Sequence, residues 1–265
     1  MSDARGAATF RTSAETYDRY IGRYAPELAR TLVQTAGVRP GARALDVGCG
    51  PGALTRELVS VLGADHVTAI DPSPPFADAC RARLPGVDVH VGAAEALPFV
   101  DGAFGHALAQ LVVNFMTDAH AGVREMRRVT RPGGTVTAAV WDYRGEMRLL
   151  RTFWDAVAAL DPSAADRDEG QSMAFSTPGE LGDLWSASGL AVVNVSPAVV
   201  AAHYDGIDDL WAPLELGIAP SGAYVVSLAP EERLALKAEL ARRLRVGGDP
   251  FRLTARAWIV TGRVP

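Results

Sequence analysis

Only two cysteines, Cys49 and Cys80, occur in 265 residues. They are too few and too far apart for a disulfide framework or for a zinc site legible in the sequence, and no metal is expected. Cys49 falls inside a glycine-rich turn, where a small side chain is the requirement rather than redox chemistry. Basic runs are equally scarce. The densest, Arg242-Arg243-x-Arg245, sits near the end of a helical stretch, where cations suit the helix dipole. Net charge is −5 and the pI is about 5.6, so no nucleic-acid partner is expected. No apolar run approaches membrane-spanning length, and Met1 to Phe10 lacks the apolar core of a secretory signal. No membrane partner and a cytoplasmic location are therefore expected. No internal repeat is apparent. A hydrophobic fraction of 48% with 22% charged residues describes an ordinary soluble globule, long enough for one large α/β domain with additions.

Residues 44–58, Ala-Leu-Asp-Val-Gly-Cys-Gly-Pro-Gly-Ala-Leu-Thr-Arg-Glu-Leu, carry most of the information. The short apolar stretch Arg43 to Val47 suits a strand buried in a parallel sheet. Gly48, Gly50 and Gly52 then allow a sharp turn and a close backbone approach to a ligand. Gly48, Gly50 and Ala53 also satisfy the relaxed dinucleotide fingerprint, which keeps a nicotinamide-dependent oxidoreductase open as an alternative. Two residues argue against a dinucleotide. Asp46 places an acid beside the turn, suited to an ammonium group rather than a pyrophosphate. Pro51 removes an N–H that a phosphate would use. A second strand, His66 to Ile70, ends in Asp71, about 20 positions after the turn, where a carboxylate accepts hydrogen bonds from ribose hydroxyls. Together these features predict a nucleoside ligand.

Alternating patterns predict helix Pro26 to Ala36, helix Ala53 to Leu62, strand Val67 to Ile70 and helix Pro72 to Leu84. Strand Val87 to Val91, strand Phe104 to Val113, helix Ala119 to Thr130 and strand Thr135 to Trp141 follow. The implied fold is an open, doubly wound Rossmann-like sheet that binds ligands beyond the carboxyl ends of its strands. After Trp141 the alternation breaks. A helix spans Leu149 to Leu160, Asp161 to Gln171 reads as an exposed loop, and a capping box with Thr177, Pro178 and Glu180 opens a helix to Ser188. Late strands Leu190 to Ala201 and Leu253 to Gly262 enclose a helical insertion, Asp205 to Gly248.

Four motifs in order resemble the class I S-adenosylmethionine-dependent methyltransferases, in particular the small-molecule group related to the ubiquinone and menaquinone enzymes (methyltransferase type 11-like). They are Leu45-Asp46-Val47-Gly48-Cys49-Gly50-Pro51-Gly52, Ala69-Ile70-Asp71-Pro72-Ser73, Ala94-Glu95-Ala96-Leu97-Pro98-Phe99 with Asp101 and Phe104, and Glu125-x-x-Arg128-Val129-x-Arg131-Pro132-Gly133-Gly134. The resemblance covers about residues 13 to 142. It implies a seven-stranded sheet with one antiparallel strand, in a single domain spanning 1–265. That domain divides into an N-terminal lid helix (13–25), a cofactor-binding core (26–142), helical cap insertions (143–176 and 205–248) and late strands (190–201 and 253–262). The implied cofactor is S-adenosyl-L-methionine. Asp46, Gly48 and Gly50 would line its methionine side, with Gln110 close by. Asp71, followed by Pro72, would hold the ribose, and the Ala94-Glu95 turn would meet the adenine edge. Ala93 stands where the family often has an acid. His106, where an Asp commonly follows the Phe of strand four, lies at the strand's amino end in a structural role.

In the lid, Tyr17, Tyr20 and Tyr24 recur at helical spacing. Either they pack on the core or a ring faces the sulfonium, and Arg23 could pair with the methionine carboxylate. Methyl transfer is an in-line displacement that needs alignment and exclusion of water more than a catalytic constellation. Among five histidines only His203 has a path to an acceptor, as a weak candidate for general base. Asn114 and Trp141, closing strands four and five, are candidate acceptor contacts, with Trp211 and Tyr24. Trp211, Leu214, Leu216, Ile218 and Tyr224, with Phe153, Trp154 and Phe175, would form an apolar roof over a hydrophobic or aromatic small-molecule acceptor, or else seal a homodimer interface or an enlarged core. A cofactor-binding protein or cyclase that does not methylate is the remaining alternative.

Overall fold

The computed structural model describes residues 18–265. Its frame is one seven-stranded sheet. The strands are β1 (Ala44–Val47), β2 (Val67–Asp71), β3 (Asp88–Val91), β4 (Phe104–Gln110), β5 (Thr130–Trp141), β6 (Ala191–Tyr204) and β7 (Phe251–Arg263), in spatial order β3-β2-β1-β4-β5-β7-β6. The first five are parallel, and β7 runs antiparallel to both neighbours, inserted between β5 and β6. The strand order reverses between β1 and β4, so a crevice opens beyond their carboxyl ends.

Helices α1 (Ala25–Thr35), α2 (Ala53–Leu62), α3 (Pro74–Arg83) and α4 (Ala119–Val129) cover the parallel half. Each presents an apolar stripe. In α1, Ala25, Leu28, Ala29, Leu32 and Val33 are buried, the spacing of one helix face. In α4 the Asp118 carboxylate accepts from the Ala121 N–H at 2.9 Å, capping the helix. Between β5 and β6 lie α5 (Arg148–Leu160), a one-turn helix α6 (Glu169–Ser172) and α7 (Pro178–Ala187). Between β6 and β7 lie α8 (Ile207–Glu215), α9 (Ala219–Ser227) and α10 (Pro230–Leu244). The last three are the helical insertion, and α10 packs on α5.

Several boundaries differ from expectation for definite reasons. β4 stops at Gln110 rather than Val113, because Leu111 adopts a left-handed backbone (φ 62°) that turns the chain out of the extended ladder. Asn114 therefore lies in a 3-10 turn, Val113–Phe115. The Arg131-Pro-Gly-Gly reversal is absorbed into β5 as a register irregularity, with Phe104 opposite Thr130 and His106 already opposite Thr135. The segment 161–171 is not an exposed loop. It folds into a 3-10 turn, Pro162–Arg167, followed by α6, with Glu169 buried and Asp168 gripped by Arg151. Before α1 the chain makes a 3-10 turn, Ile21–Tyr24, rather than continuing a lid helix to residue 25. Asp18 and Arg19 are helical, and the rest of the expected lid, 13–17 with Tyr17, lies outside the described residues.

The capping box at α7 forms as read. Thr177 Oγ1 accepts from the Glu180 N–H at 3.3 Å, and Glu180 accepts from the Thr177 N–H at 3.0 Å. At the sheet's outer edge Glu27 of α1 accepts the backbone N–H of Ala201 in β6 at 2.9 Å. At the sheet's centre β1 buries Asp46 completely beneath the glycine turn. Its Oδ2 accepts from Thr55 Oγ1 of α2 at 2.6 Å, and Oδ1 has no partner. Burial pushes this carboxyl up to about 8, against the opposing Thr55 bond.

Two outcomes are expected. Thr177→Ala should cost about 1 kcal/mol in a denaturant titration, the usual value of an N-cap. The Asp46 proton stays on in the fold until about pH 8, whereas the unfolded chain releases it at the ordinary carboxyl value, so this residue makes stability fall as pH rises through that window. Asp46→Asn should remove the component: melting temperatures measured from pH 5 to pH 8 should shift progressively in the variant's favour.

Candidate functional site

Four chain reversals at the carboxyl end of the parallel strands enclose a half-open cleft. Gly48, Gly50 and Pro51 come from the turn after β1. Asp71, Pro72 and Ser73 follow from the end of β2, with Phe76 of α3 behind them. Ala93, Ala94 and Glu95 form the turn after β3. Gln110, Leu111 and Val112 close β4, and Phe115, Met116 and Thr117 lead toward α4.

The glycine turn is held against β2 by its backbone: the N–H groups of Gly48 and Cys49 both donate to the Ile70 carbonyl, at 2.7 and 3.1 Å. Gly48 has φ +71°, and a Cβ there would stand 2.5 Å from the Val112 side chain, so the turn can meet the β4 loop only without one. At Gly50, φ +52°, a Cβ would meet nothing within 4 Å. Its backbone is bare toward the cleft and open to a ligand.

Asp71 ties two of these turns together. Its Oδ2 accepts from the Gly50 N–H and its Oδ1 from the Ser73 N–H, both at 2.8 Å. Burial raises its pKa, and the two N–H groups pull it back. Each oxygen retains a lone pair at the cleft wall, so the residue can still accept from ligand hydroxyls. Glu95 also lines the cleft, but its Oε1 is engaged by the N–H groups of Thr117 and Asp118, at 2.8 and 3.2 Å. It shapes the turn that leads into α4. Gln110 donates through Nε2 to the Ala25 carbonyl at 3.1 Å, which leaves its buried Oε1 without a partner. A bare glycine backbone, a rim carboxylate with free lone pairs and an unpaired amide oxygen together suit a nucleoside carrying an amino-acid tail.

The fold brings Gly48, Gly50, Asp71, Pro72, Ala94, Glu95 and Gln110 into one cleft and leaves the other candidates among the described residues outside its lining. Asp46 lies below the turn, bonded to Thr55, and near neutral pH its proton is retained. Arg23 is committed elsewhere: its guanidinium makes a two-armed pair with Asp209 of α8, at 2.7 and 2.5 Å, donates to the His203 carbonyl at 3.0 Å and lies 4.8 Å over the Tyr204 ring. The tyrosine stripe packs. Tyr20 pairs with Ser221 of α9 at 2.7 Å, and Tyr24 receives the Tyr204 hydroxyl at 3.3 Å and meets Trp141 edge-on. Trp141 and Trp211 are core residues, 1% and 2% exposed, and the Trp211 indole donates to Glu215. Phe153, Trp154 and Tyr224 pack on one another, so these parts of the expected roof are cap interior. His203 is exposed within β6, opposite Arg252, and away from the cleft. His106 bonds Thr135 through Nδ1 at 2.7 Å, the structural role expected of it.

Residues that sequence reasoning passed over are Leu111, Val112, Phe115, Met116 and Thr117. Nothing in their composition marks them. They reach the cleft because Leu111 turns the chain out of β4, a left-handed leucine of the kind that collects at ligand sites. Among the described residues no group of three or more His, Cys, Asp or Glu is arranged to hold a metal ion, and no helix is long and apolar enough to cross a membrane.

Comparison with known proteins agrees with this geometry. A family model described as a methyltransferase domain matches residues 45–138, from β1 into β5. A malonyl-[acyl-carrier protein] O-methyltransferase of Pseudescherichia vulneris is 32% identical over 151 residues, covering 57% of this chain and 59% of that protein. An uncharacterized methyltransferase of Mycobacterium tuberculosis is 36% identical over 138 residues, covering 52% and 54%. The chain thus spans a little over half the length of these curated relatives. The crystal structure of the YcgJ protein from Bacillus subtilis superposes with a TM-score of 0.58 at 18% identity, covering 89% of this chain and 98% of that one, a likeness of fold. With the sheet order, the glycine turn and the Asp71 bridge in place, these matches identify residues 45–138 as a methyltransferase domain on the fold of the class I S-adenosylmethionine-dependent enzymes.

Proposed function

We propose that the protein transfers a methyl group from S-adenosylmethionine to a small-molecule acceptor, by positioning more than by a constellation of catalytic side chains. The observation that carries this reading is the Asp71 bridge. A carboxylate fixed by the Gly50 and Ser73 N–H groups stands at the cleft wall beside a glycine backbone that no side chain covers.

When bound, S-adenosylmethionine supplies a methyl group activated by positively charged sulfur. Asp71 would accept from the ribose hydroxyls, and Ala94 with the turn around Glu95 would border the base. The backbone at Gly48 and Gly50 and the unpaired Oε1 of Gln110 would receive the amino-acid end, which offers an ammonium donor to that oxygen. Phe115, Met116 and Leu111 supply apolar wall that keeps water from the transfer path. The acceptor reaches the methyl from the cap side, beyond β4 and β5. The name of the Pseudescherichia relative shows an O-methyl transfer within this family, which supports methylation as the chemistry here.

Two measurements test the reading. Native mass spectrometry of the purified protein should show bound S-adenosylhomocysteine or uptake of added S-adenosylmethionine, and incubation with a panel of phenolic, amine and carbon acceptors should give a mass gain of one methylene on a product. Absence of both would refute it. In calorimetry Asp71→Ala should weaken donor binding by about 1–3 kcal/mol, the cost of losing a charge-assisted hydrogen-bonding group.

A further inference from the structure

The cap buries a carboxyl that no cation pairs with among the described residues. Glu169, in the one-turn helix α6, is 6% exposed, and its Oε1 accepts only from the neutral indole N–H of Trp154, at 3.3 Å. The nearest cation, Arg151 of α5, spends both guanidinium arms on Asp168, one of them at 2.8 Å. Asp168 is a second negative neighbour, and the phenol of Tyr20 from the N-terminal segment feels the same carboxyl. A buried, unpaired acid is costly and a leucine would serve packing better, so a retained one calls for a use.

Its position supplies one. The Met173 N–H bonds the Glu169 carbonyl, and Asn114 Nδ2 lies 3.0 Å from Met173 Sδ, which sets α6 against the turn after β4. A Cβ on Gly170 would stand 2.8 Å from the carbonyl oxygen of Tyr143, just after β5. Helix α6 thus lies over the carboxyl ends of β4 and β5, the end of the sheet that opens into the cleft through Gln110 and Val112. Apart from Gln110 Oε1, which the donor's amino-acid end takes, two buried polar atoms lack partners at these same strand ends: Asn114 Oδ1 and the Nε1 of Trp141, a side chain 1% exposed. Buried polar groups are ordinarily paired, and two unpaired ones at adjacent strand ends mark a seat for a polar ligand.

We propose that this is the acceptor seat and that Glu169 takes the proton from a hydroxyl or amine nucleophile held there, an inference that rests on the methyl-transfer reading above. The O–H or N–H bond of the acceptor breaks, and its proton goes to the Glu169 carboxylate and later to water. The acceptor's electron pair forms the new bond to the methyl carbon, while the electrons of the sulfur–methyl bond stay on sulfur. Burial pushes the Glu169 carboxyl up to about 7, against the Trp154 bond and the weak pull of Arg151, so the basic form is available near neutrality. A carboxylate acceptor is excluded on charge. It would face Glu169 and Asp168, and the guanidinium arms of Arg151 and Arg23 are already taken by Asp168 and Asp209.

The test uses the full-length protein saturated with S-adenosylhomocysteine and two probes of similar size, catechol and benzoate, followed by saturation-transfer NMR. The wild type should prefer catechol by at least about tenfold, and Glu169→Gln should erase that preference by admitting benzoate. Equal binding of both probes to the wild type, a preference unchanged in the variant, or binding of neither would overturn the proposal. With S-adenosylmethionine and catechol, the variant should lose roughly 100-fold in kcat with little change in KM, together with the wild-type rise of kcat through an inflection near pH 7. Should Glu169→Gln not fold, the fluorescence of wild-type Trp154, assigned with Trp154→Phe, decides: an inflection near pH 7 upholds the proposal, and one at about pH 4 to 5 overturns it. Failure of the wild type to bind S-adenosylhomocysteine would instead remove the methyl-transfer reading itself.

Discussion

Two hydrogen bonds to the Asp71 carboxylate hold together the part of the molecule that faces its ligand. The Gly50 and Ser73 N–H groups belong to turns leaving different strands, and the carboxylate joins these turns beyond the point where Gly48 and Cys49 bond Ile70. Fixing them through one buried side chain leaves the glycine backbone uncovered and the second lone pairs of the carboxylate turned toward the cleft. Position and charge are set together, because the N–H groups that locate the carboxylate also counter the rise in its pKa that burial imposes. A site built this way is organised before anything enters it, as positioning chemistry requires.

The parallel half of the sheet was legible in the sequence because its signals are local. Short buried strands, amphipathic helices with their caps and a three-glycine turn each announce themselves within about ten residues, and β-α alternation then leaves few topologies. The cleft residues found in advance, Gly48, Gly50, Asp71, Pro72, Ala94, Glu95 and Gln110, all lie at strand ends or in motifs of that kind. The methyltransferase-domain match over 45–138 also implies the sulfonium as cofactor over the dinucleotide that Gly48, Gly50 and Ala53 had left open.

Roles that depend on distant partners were not legible. Arg23 looked free to meet a carboxylate until folding set Asp209, 186 residues away, against it. Tyr20, Tyr24, Trp141 and Trp211 have the composition of a ligand wall and the burial of a core, and only packing separates the two. Asp46 looked like a charge beside the turn, but complete burial keeps its proton in place near neutral pH. Glu169 was hidden in the opposite sense, inside a polar run that read as exposed loop, because nothing local in Asp161 to Gln171 shows that Arg151 draws Asp168 down and carries the next residue inward.

The Glu27 contact with Ala201 bears on how the molecule meets copies of itself. β6 is the last strand of the sheet, and along 197–203 its outward groups are compromised one after another. Pro197 has no hydrogen to offer, the Ala201 amide is taken by Glu27, and the His203 carbonyl is taken by Arg23. An added strand would find a broken row there instead of a ladder. The sheet thus ends at seven strands by occupying its own margin, which guards a long, otherwise inviting border against aggregation.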